Sequence, residues 1–404
     1  MFAIQDYAPR RPCVRLIGVS PHSFDESTFN ADHGCETYVI DVDWSDFLSA
    51  GHPLFLRPWK PWFGDRPIDW YRHFASEFFE EGFPPALWLK IQYQQSQDVT
   101  GNYAYRAFSN EELHYLNLSS LTPVQGTAVR PPPDLSPGTV DLNQNPEAPT
   151  LTAFHVGQGI CTLLANDAQG VLFDAGAGTP VTREVYRSCK HPNGSPFINK
   201  LISSTQALRD LTVVLSHPDS DHWRILEWDQ KLLQKVTEVL LPSGQPALAF
   251  KSPAVLPKVK GIRDRLFRFA NGDELKVMRS EPRVSDRNGE CLVAVARVGG
   301  SKGLLAGDYV YDRMAVDMRP DGAISTLPLT RFDAVVVPHH GDKASSSSVP
   351  FAVTRGISPA FFSAGTHVGY RHPRNVSLVA HENSGYFVID NHTQQNILAR
   401  QLLP

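Results

Sequence analysis

From residue 151 to the C-terminus, short apolar runs alternate with polar turns, and many of the runs stop on a carboxylate or an imidazole. In order they are LTAFHVGQG, CTLLAND, GVLFDAGAG, LTVVLSH, EVLLPSG, CLVAVARVGG, KGLLAGD, FDAVVVPHHG and PAFFSAG. Each has the length and apolar content of a buried strand bounded by turn residues. Strand ends are where sheet proteins collect their chemistry. Trp223 to Leu232, shortly after LTVVLSH, reads instead as the start of a helix.

Ahead of residue 127 the texture differs. TYVIDV and ALWLKIQY read as strands, and DWYRHFASEFFEEG between them is amphipathic at helical spacing. Trp44, Trp59, Trp62, Trp70 and Trp88 crowd this region and read as core. TAVRPPPDLSPGTVDLNQNPEAPT (127–150) is proline-rich and aperiodic, so it reads as an extended linker. The expected organisation is a small mixed α/β domain (1–126), a linker (127–150) and a larger α/β domain (151–404). An exposed linker of this kind also suits proteolytic or partner-triggered regulation.

The 404 residues suffice for two domains with real cores, and 42% apolar with 20% charged residues is ordinary for a soluble globular chain. No apolar stretch approaches bilayer-spanning length, and MFAIQDYAPRRP lacks the pattern of a secretory signal. Cys13, Cys35, Cys161, Cys189 and Cys291 are odd in number and widely spaced, which argues against a disulfide framework. A cytoplasmic protein without a membrane partner is the expectation. The net charge of −4 excludes a molecule that is basic overall. One segment, 251–268, sets Lys251, Lys258, Lys260, Arg263, Arg265 and Arg268 against Asp264 alone. Its ordinary reading is a solvated helix face. Its functional reading is a phosphate-tracking strip in which Lys258, Lys260, Arg263 and Arg265 bind substrate.

SHPDSDHW (216–223) packs two histidines and two aspartates into six positions. In an extended segment His217 and Asp219 point the same way, and Asp221 and His222 follow at the helix start. The first pair can grip one cation and the second pair another. Carboxylates this close are costly without a cation. Asp174, Asp308, His339, His340 and His372 repeat the strand-then-ligand pattern downstream. Any one of them alone would be an ordinary turn former or polar residue.

Taken together, FHVGQG…LFDAG…LSHPDSDHW…LLAGD…VVPHHGDKASSS…RHP resembles the metallo-β-lactamase superfamily, and within it the ComEC-like C-terminal hydrolase domain, from Leu151 to the end of the chain. The resemblance implies an αββα four-layer sandwich and hydrolysis of nucleic-acid phosphodiesters, DNA over RNA, by a hydroxide activated between two metals. It implies that His217 and Asp219 hold the first metal. Asp221 and His222 would hold the second, completed by His339 or His340, with Asp308 bridging. Asp174 would orient ligands, Asn288 would replace an extra histidine, and Lys343 and His372 would face the scissile phosphate. Asp219 stands where better-known relatives place a histidine, which moves preference toward Mn²⁺, with Zn²⁺ or Mg²⁺ as alternatives. Relatives occur in bacterial anti-phage systems beside proteases, so a partner protease or the N-terminal domain would regulate the enzyme. The chain departs from the pattern at His155, Ile160, Arg224-Ile225 and Asp342. Two other functions remain open: hydrolysis of a small phosphodiester, phosphocholine ester, lactone or thioester, and a binding protein with a vestigial site.

Overall fold

The structure is a computed structural model that describes residues 2–7, 11–51, 86–99, 101–142, 146–246, 248–283, 289–366 and 371–404. The chain forms two compact units, the first ending at Arg130 but taking back Leu248–Pro253, the second built from most of the remainder.

The first unit is an antiparallel sheet of β1 (Phe2–Tyr7), β2 (Arg11–Val19), β3 (Thr37–Asp43), β4 (Ala86–Gln95), β5 (Asn102–Arg106) and β6 (His114–Gly126), in the order β1-β2-β3-β5-β6-β4. Both strands expected here are present, as β3 and β4. The amphipathic stretch and Trp59, Trp62 and Trp70 lie outside the described residues. Helix Trp44–Ala50 begins where the Asp43 carboxylate accepts from Ser45 N at 2.9 Å, and it buries Phe47 against Val14, Leu16, Val42 and Leu121. Trp88 packs at 4.9 Å between ring centroids from Phe29, beside Cys35 and Leu248 of the same cluster. The returning segment buries Phe250 against Phe108, and its Lys251 carbonyl accepts from Cys35 N at 2.7 Å.

The second unit holds two sheets. One contains β8 (Thr150–His155), β9 (Cys161–Ala165), β10 (Gln169–Ala175), β11 (Asp210–Val214), β12 (Val236–Pro242), β13 (Val259–Ile262) and β21 (Leu398–Leu403), ordered β13-β12-β11-β10-β9-β8-β21. The other contains β7 (Gly138–Leu142), β14 (Asp264–Phe269), β15 (Glu274–Arg279), β16 (Leu292–Val298), β17 (Ser301–Leu305), β18 (Ala334–Val336), β19 (Pro359–Phe362) and β20 (Phe387–Asp390), ordered β20-β19-β18-β17-β16-β15-β14-β7. Every apolar run picked out above lies on a strand of these sheets.

The layering follows from side-chain alternation. Leu151, Ala153, Val171, Phe173, Val214, Leu240 and Ile262 of the first sheet share one cluster with Phe267, Val277, Leu292, Ala294, Ala334 and Phe361 of the second. On the outer face of the second sheet, Val293, Leu304, Val335, Ala360 and Phe362 meet Tyr311 and Met314 of helix Tyr311–Ala315. Helices Arg224–Trp228 and Gln230–Lys235 pack on β10 and β12 of the first sheet. The result is a four-layer αββα sandwich. Burying each large apolar side chain in these layers contributes about 1.5–3 kcal/mol.

Two expectations are corrected. The stretch read as a linker carries β7, paired parallel with β14, and Leu135 N donates to Gly261 O at 2.7 Å. Its backbone between Pro133 and Leu142 is therefore held in the sandwich, a poor substrate for a protease. The basic segment is no helix face, for Val259–Ile262 and Asp264–Phe269 are strands. Phe267 and Phe269 point into the core while Arg268 is exposed, which is strand alternation.

Candidate metal centre

One edge of the sandwich collects the chemistry because the strands that carry it run parallel. β10, β11, β12 and β13 are parallel in the first sheet, and β17, β18, β19 and β20 in the second. Asp174 ends β10, Ser216 and His217 follow β11, Asp308 follows β17, and His339 and His340 follow β18. Close backbone approach is built in. A Cβ on Gly176 would lie 1.5 Å from Asp221 O, and one on Gly307 would lie 2.3 Å from the Ser216 Cβ.

Asp308 sits at the middle. Its Oδ2 is 3.7 Å from His217 Nε2 and 3.6 Å from His339 Nε2, while its Oδ1 is 3.3 Å from His222 Nε2 and 3.9 Å from His340 Nε2. Asp219 Oδ2 lies 3.4 Å from His217 Nε2, and Asp221 Oδ2 lies 3.3 Å from His340 Nε2. Ligand atoms of His217, His222 and Asp308 fall within 4.8 Å of one another, as do those of Asp221, His222 and His340. Either set could hold a divalent cation.

The hydrogen bonds behind the rings decide which nitrogen faces inward. His222 Nδ1 lies 2.9 Å from Asp174 Oδ2, His340 Nδ1 lies 2.8 Å from Ser363 O, and His339 Nδ1 lies 3.1 Å from Asp342 Oδ2. A carbonyl or carboxylate oxygen only accepts, so each Nδ1 carries a proton, and Nε2 is the nitrogen that would offer a lone pair to a cation once the ring is neutral. The Nε2 atoms of His217, His222 and His340, and Oδ1 of Asp308, are buried without a hydrogen bond. Buried polar atoms left in this state are costly, and a cation among them removes the cost. The donor set therefore fits a metal.

Asp174 supports this arrangement from below. It occupies the register shift between Phe173 and Ala175 at φ +58°, a left-handed conformation costing about 1–3 kcal/mol in a non-glycine residue. Its carboxylate accepts from Ser216 N at 2.7 Å and from the His222 ring, charge-assisted bonds that offset the strain. His339 and His340 also have positive φ, +48° and +55°, and their rings diverge from adjacent positions.

The electrostatics are those of a proton-sharing cluster. Burial opposes protonation of His222, yet Asp174 and Asp308 hold its pKa well above the usual histidine range. Burial likewise opposes ionisation of Asp308, but His339 and His222 hold it well below the carboxylate range. Asp221 is lowered against its burial by His340 and His222. His339, despite burial, is raised to about 9 by Asp308 and Asp342. His372 is pushed down to about 3 by burial and by the His340 and His339 rings, 6.3 and 5.9 Å away between centroids. It is a neutral ring at the rim, suited to hydrogen bonding and not to charge stabilisation.

Other residues singled out in the sequence fall elsewhere. Lys343 is exposed and makes no ion pair among the described residues. Asn288 lies outside the described residues. Lys258 Nζ donates to Leu233 O and Val236 O at 3.2 and 2.8 Å, Arg263 pairs with Glu281, and Arg265 donates to Ser136 O at 3.3 Å. Lys251 is buried. Lys251, Lys260 (half-buried on β13) and Arg268 (on β14) are the cations of the strip without such a partner among the described residues.

Sequence reasoning passed over Ser216, whose Oγ lies 3.1 Å from both His217 Nδ1 and His222 Nδ1, and Ser363, whose carbonyl orients His340. No spacing pointed to either. Asp342 stood out as a departure from a motif, and its three-residue offset from His339 was the available signal for a partnership.

No protein-family model matches the chain, and no curated protein matches it. Among solved structures, a CmlA beta-hydroxylase mutant is 12% identical, with a TM-score of 0.38, over 63% of this chain and 55% of that one. The metallo-beta-lactamase fold protein YhfI from Bacillus subtilis is 13% identical, with a TM-score of 0.36, over 63% of this chain and 100% of that one. A metallo-beta-lactamase from Pontibacter korlensis is 14% identical, with a TM-score of 0.23, over 57% and 71% respectively. The chain spans just over half of the hydroxylase. No helix among the described residues is long and apolar enough to cross a membrane.

Proposed function

We propose that this edge is the centre of a metal-dependent phosphodiesterase acting on nucleic acid, with DNA the first substrate to test. The observation that carries the reading is the convergence of His217, His222, His339 and His340 Nε2 atoms on the two oxygens of one buried carboxylate, Asp308. His217, Asp219 and His339 stand on the Oδ2 side of Asp308, and Asp221, His222 and His340 on the Oδ1 side. These two groups would hold two divalent cations with Asp308 between them. When bound, such ions supply Lewis acidity toward a phosphoryl oxygen and lower the pKa of water.

The chain's own residues do the rest. Asp174, Asp342 and the Ser363 carbonyl fix ring tautomers, so that ligand lone pairs are aimed before any substrate arrives. His372, neutral at the rim, offers a hydrogen bond to the leaving group. Asp219, standing where better-known relatives place a histidine, brings the set to three carboxylates and four imidazoles and moves preference from Zn²⁺ toward Mn²⁺.

A second reading, a small phosphodiester in place of a polymer, is favoured by the fate of the basic strip. Three of its six cations, Lys258, Arg263 and Arg265, are bonded to carbonyls or a carboxylate and are not free to track a phosphate backbone. The test is incubation of purified protein with circular and linear DNA, RNA and bis-p-nitrophenyl phosphate across Mn²⁺, Mg²⁺ and Zn²⁺, beside the His222→Ala variant. Metal-dependent cleavage lost in the variant supports the reading, and DNA turnover that falls steeply with salt selects the polymer. No cleavage of any phosphodiester with any of the ions overturns it.

A further inference from the structure

The loop between β20 and β21 and the loop after helix Arg183–Ser188 flank an open cleft of about 440 Å³, lined by His191, Ser195, Asp390, Asn391, Gln394 and Asn396 among others. That volume is within the range of small-ligand sites, about 300–1,000 Å³. We propose that this cleft is a nucleoside-binding subsite of the neighbouring centre. The inference rests on the phosphodiesterase reading for its role in turnover, but not for binding itself.

Topology places the cleft beside the chemistry. Asp390 ends β20, β20 pairs in parallel with β19, and β19 pairs in parallel with β18, after which His339 and His340 emerge. Strand ends two positions apart in a sheet are separated by about 10 Å. The cleft therefore opens on the same edge of the sandwich as the centre.

The floor of the cleft is fixed, and its rim is free. Asn396 Oδ1 accepts from Ile198 N at 2.9 Å and lies 3.0 Å from His191 Nε2, which ties the two loops together. Asn396 N donates to Gln394 Oε1, and Asp390 accepts from His392 N and from the His392 ring. The side chains of Asn391, Thr393 and Gln395, by contrast, make no hydrogen bond among the described residues. Beneath the loop, His155 is buried with neither ring nitrogen hydrogen-bonded, within electrostatic reach of Asp390 and His392.

The lining chemistry selects the ligand class. No lysine or arginine lines the cleft, so it is not built for a second phosphate. Amides present a donor and an acceptor side by side, the pattern that matches the hydrogen-bonding edge of a nucleobase. A carboxylate such as Asp390 accepts from a sugar hydroxyl or an exocyclic amine. A nucleoside is the group that presents both beside a phosphodiester.

Two measurements test this. In saturation-transfer NMR, adenosine, guanosine, cytidine and uridine are each mixed with metal-free protein and with an Asn391→Ala, Thr393→Ala, Gln395→Ala triple variant. Contacts from at least one nucleoside, lost in the variant, support the subsite; no contact in the wild type overturns it. In turnover, the variant should raise KM for nucleoside p-nitrophenyl phosphates about 5- to 100-fold while leaving bis-p-nitrophenyl phosphate within about twofold. Equal changes on both esters, or none on the nucleoside ester, overturn it. If the wild type hydrolyses neither ester, the phosphodiesterase reading falls and the NMR result alone decides the subsite.

Discussion

Two regions of this molecule bury charge, and they do it in opposite ways. In the first unit Arg15 and Asp41 form a two-pronged pair, Nε to Oδ1 and Nη2 to Oδ2, both at 2.6 Å, with 5% and 1% of the side chains exposed. Both carboxylate oxygens are taken, while Nη1 of Arg15 is buried without a hydrogen bond, and Tyr105 is buried beside the pair. At the edge of the sandwich the contacts of Asp308 are all longer than 3.2 Å, and the facing nitrogens of His217, His222 and His340 are buried without a hydrogen bond. Buried charge that is closed on itself holds a fold together, whereas buried charge that converges and stays open waits for a ligand. Neither burial nor charge alone separates the two cases; whether the carboxylate oxygens are taken does.

Mutations on each side can break that comparison. Asp308→Ala should lower turnover by at least about a thousandfold, roughly 4 kcal/mol, and abolish the rise in Tm that divalent cations give the wild type. Retention of both would show that Asp308 is a structural acid like Asp41. Asp41→Ala should destabilise the protein by about 3–5 kcal/mol, because Arg15 is left buried without its partner. The metal-induced increment of Tm should survive that change. Denaturant melts with and without Mn²⁺ read both effects, and an Asp41 variant that loses the metal response would collapse the distinction.

A third buried polar group sharpens it further. His381 is fully buried, its Nδ1 lies 2.7 Å from Ser377 O and its Nε2 lies 3.1 Å from the Tyr311 hydroxyl, so it is closed like the Arg15 pair. Burial lowers its pKa to about 4. The unfolded chain, with an ordinary histidine pKa near 6.5, takes up the proton first on acidification. The stabilisation is therefore whole above about pH 6.5 and is lost as pH falls toward 4, on the order of 3 kcal/mol in all. Urea melts between pH 7 and 4.5 should show a His381→Gln variant with a shallower loss than the wild type; parallel curves would count against this assignment. The smallest effect belongs to Asp342→Asn. A neutral acceptor behind His339 should weaken one metal step about 10- to 100-fold and leave the other alone, measured by calorimetric titration. An unchanged pair of steps would remove His339 from the donor set.

The sandwich was legible in the sequence where strands are buried on both faces. Runs such as LTVVL and FDAVVV admit one reading, since nothing else of that length is so apolar. Strands that are mostly solvated or rich in charge were not. β7, with Thr139, Val140 and Asp141 between Gly138 and Leu142, is mostly solvated, so its pattern was lost among the prolines. The strands Val259–Ile262 and Asp264–Phe269 were hidden by charges whose spacing also suits a helix.

At the site, the spacing within SHPDSDHW pointed to His222, and the strand-end rule pointed to His217, His339 and His340, because a ligand after a buried strand needs no distant information. It could not divide His339 from His340, which are adjacent in sequence. Their left-handed backbone turns one ring toward each oxygen of Asp308, and no spacing encodes that. The hydrogen bond from behind by Asp342 left its three-residue offset from His339 as a signal, whereas that by the Ser363 carbonyl was invisible for the same reason. So was the cleft at 390–396, whose residues carry no motif.

The central claim is that the open cluster around Asp308 holds two cations. Metal analysis of the wild type and of Asp308→Ala, after loading with Mn²⁺ and removal of the excess, tests it most directly. About two ions per chain in the wild type and fewer than one in the variant are expected. No bound metal in the wild type, or the same count in both, would contradict the account.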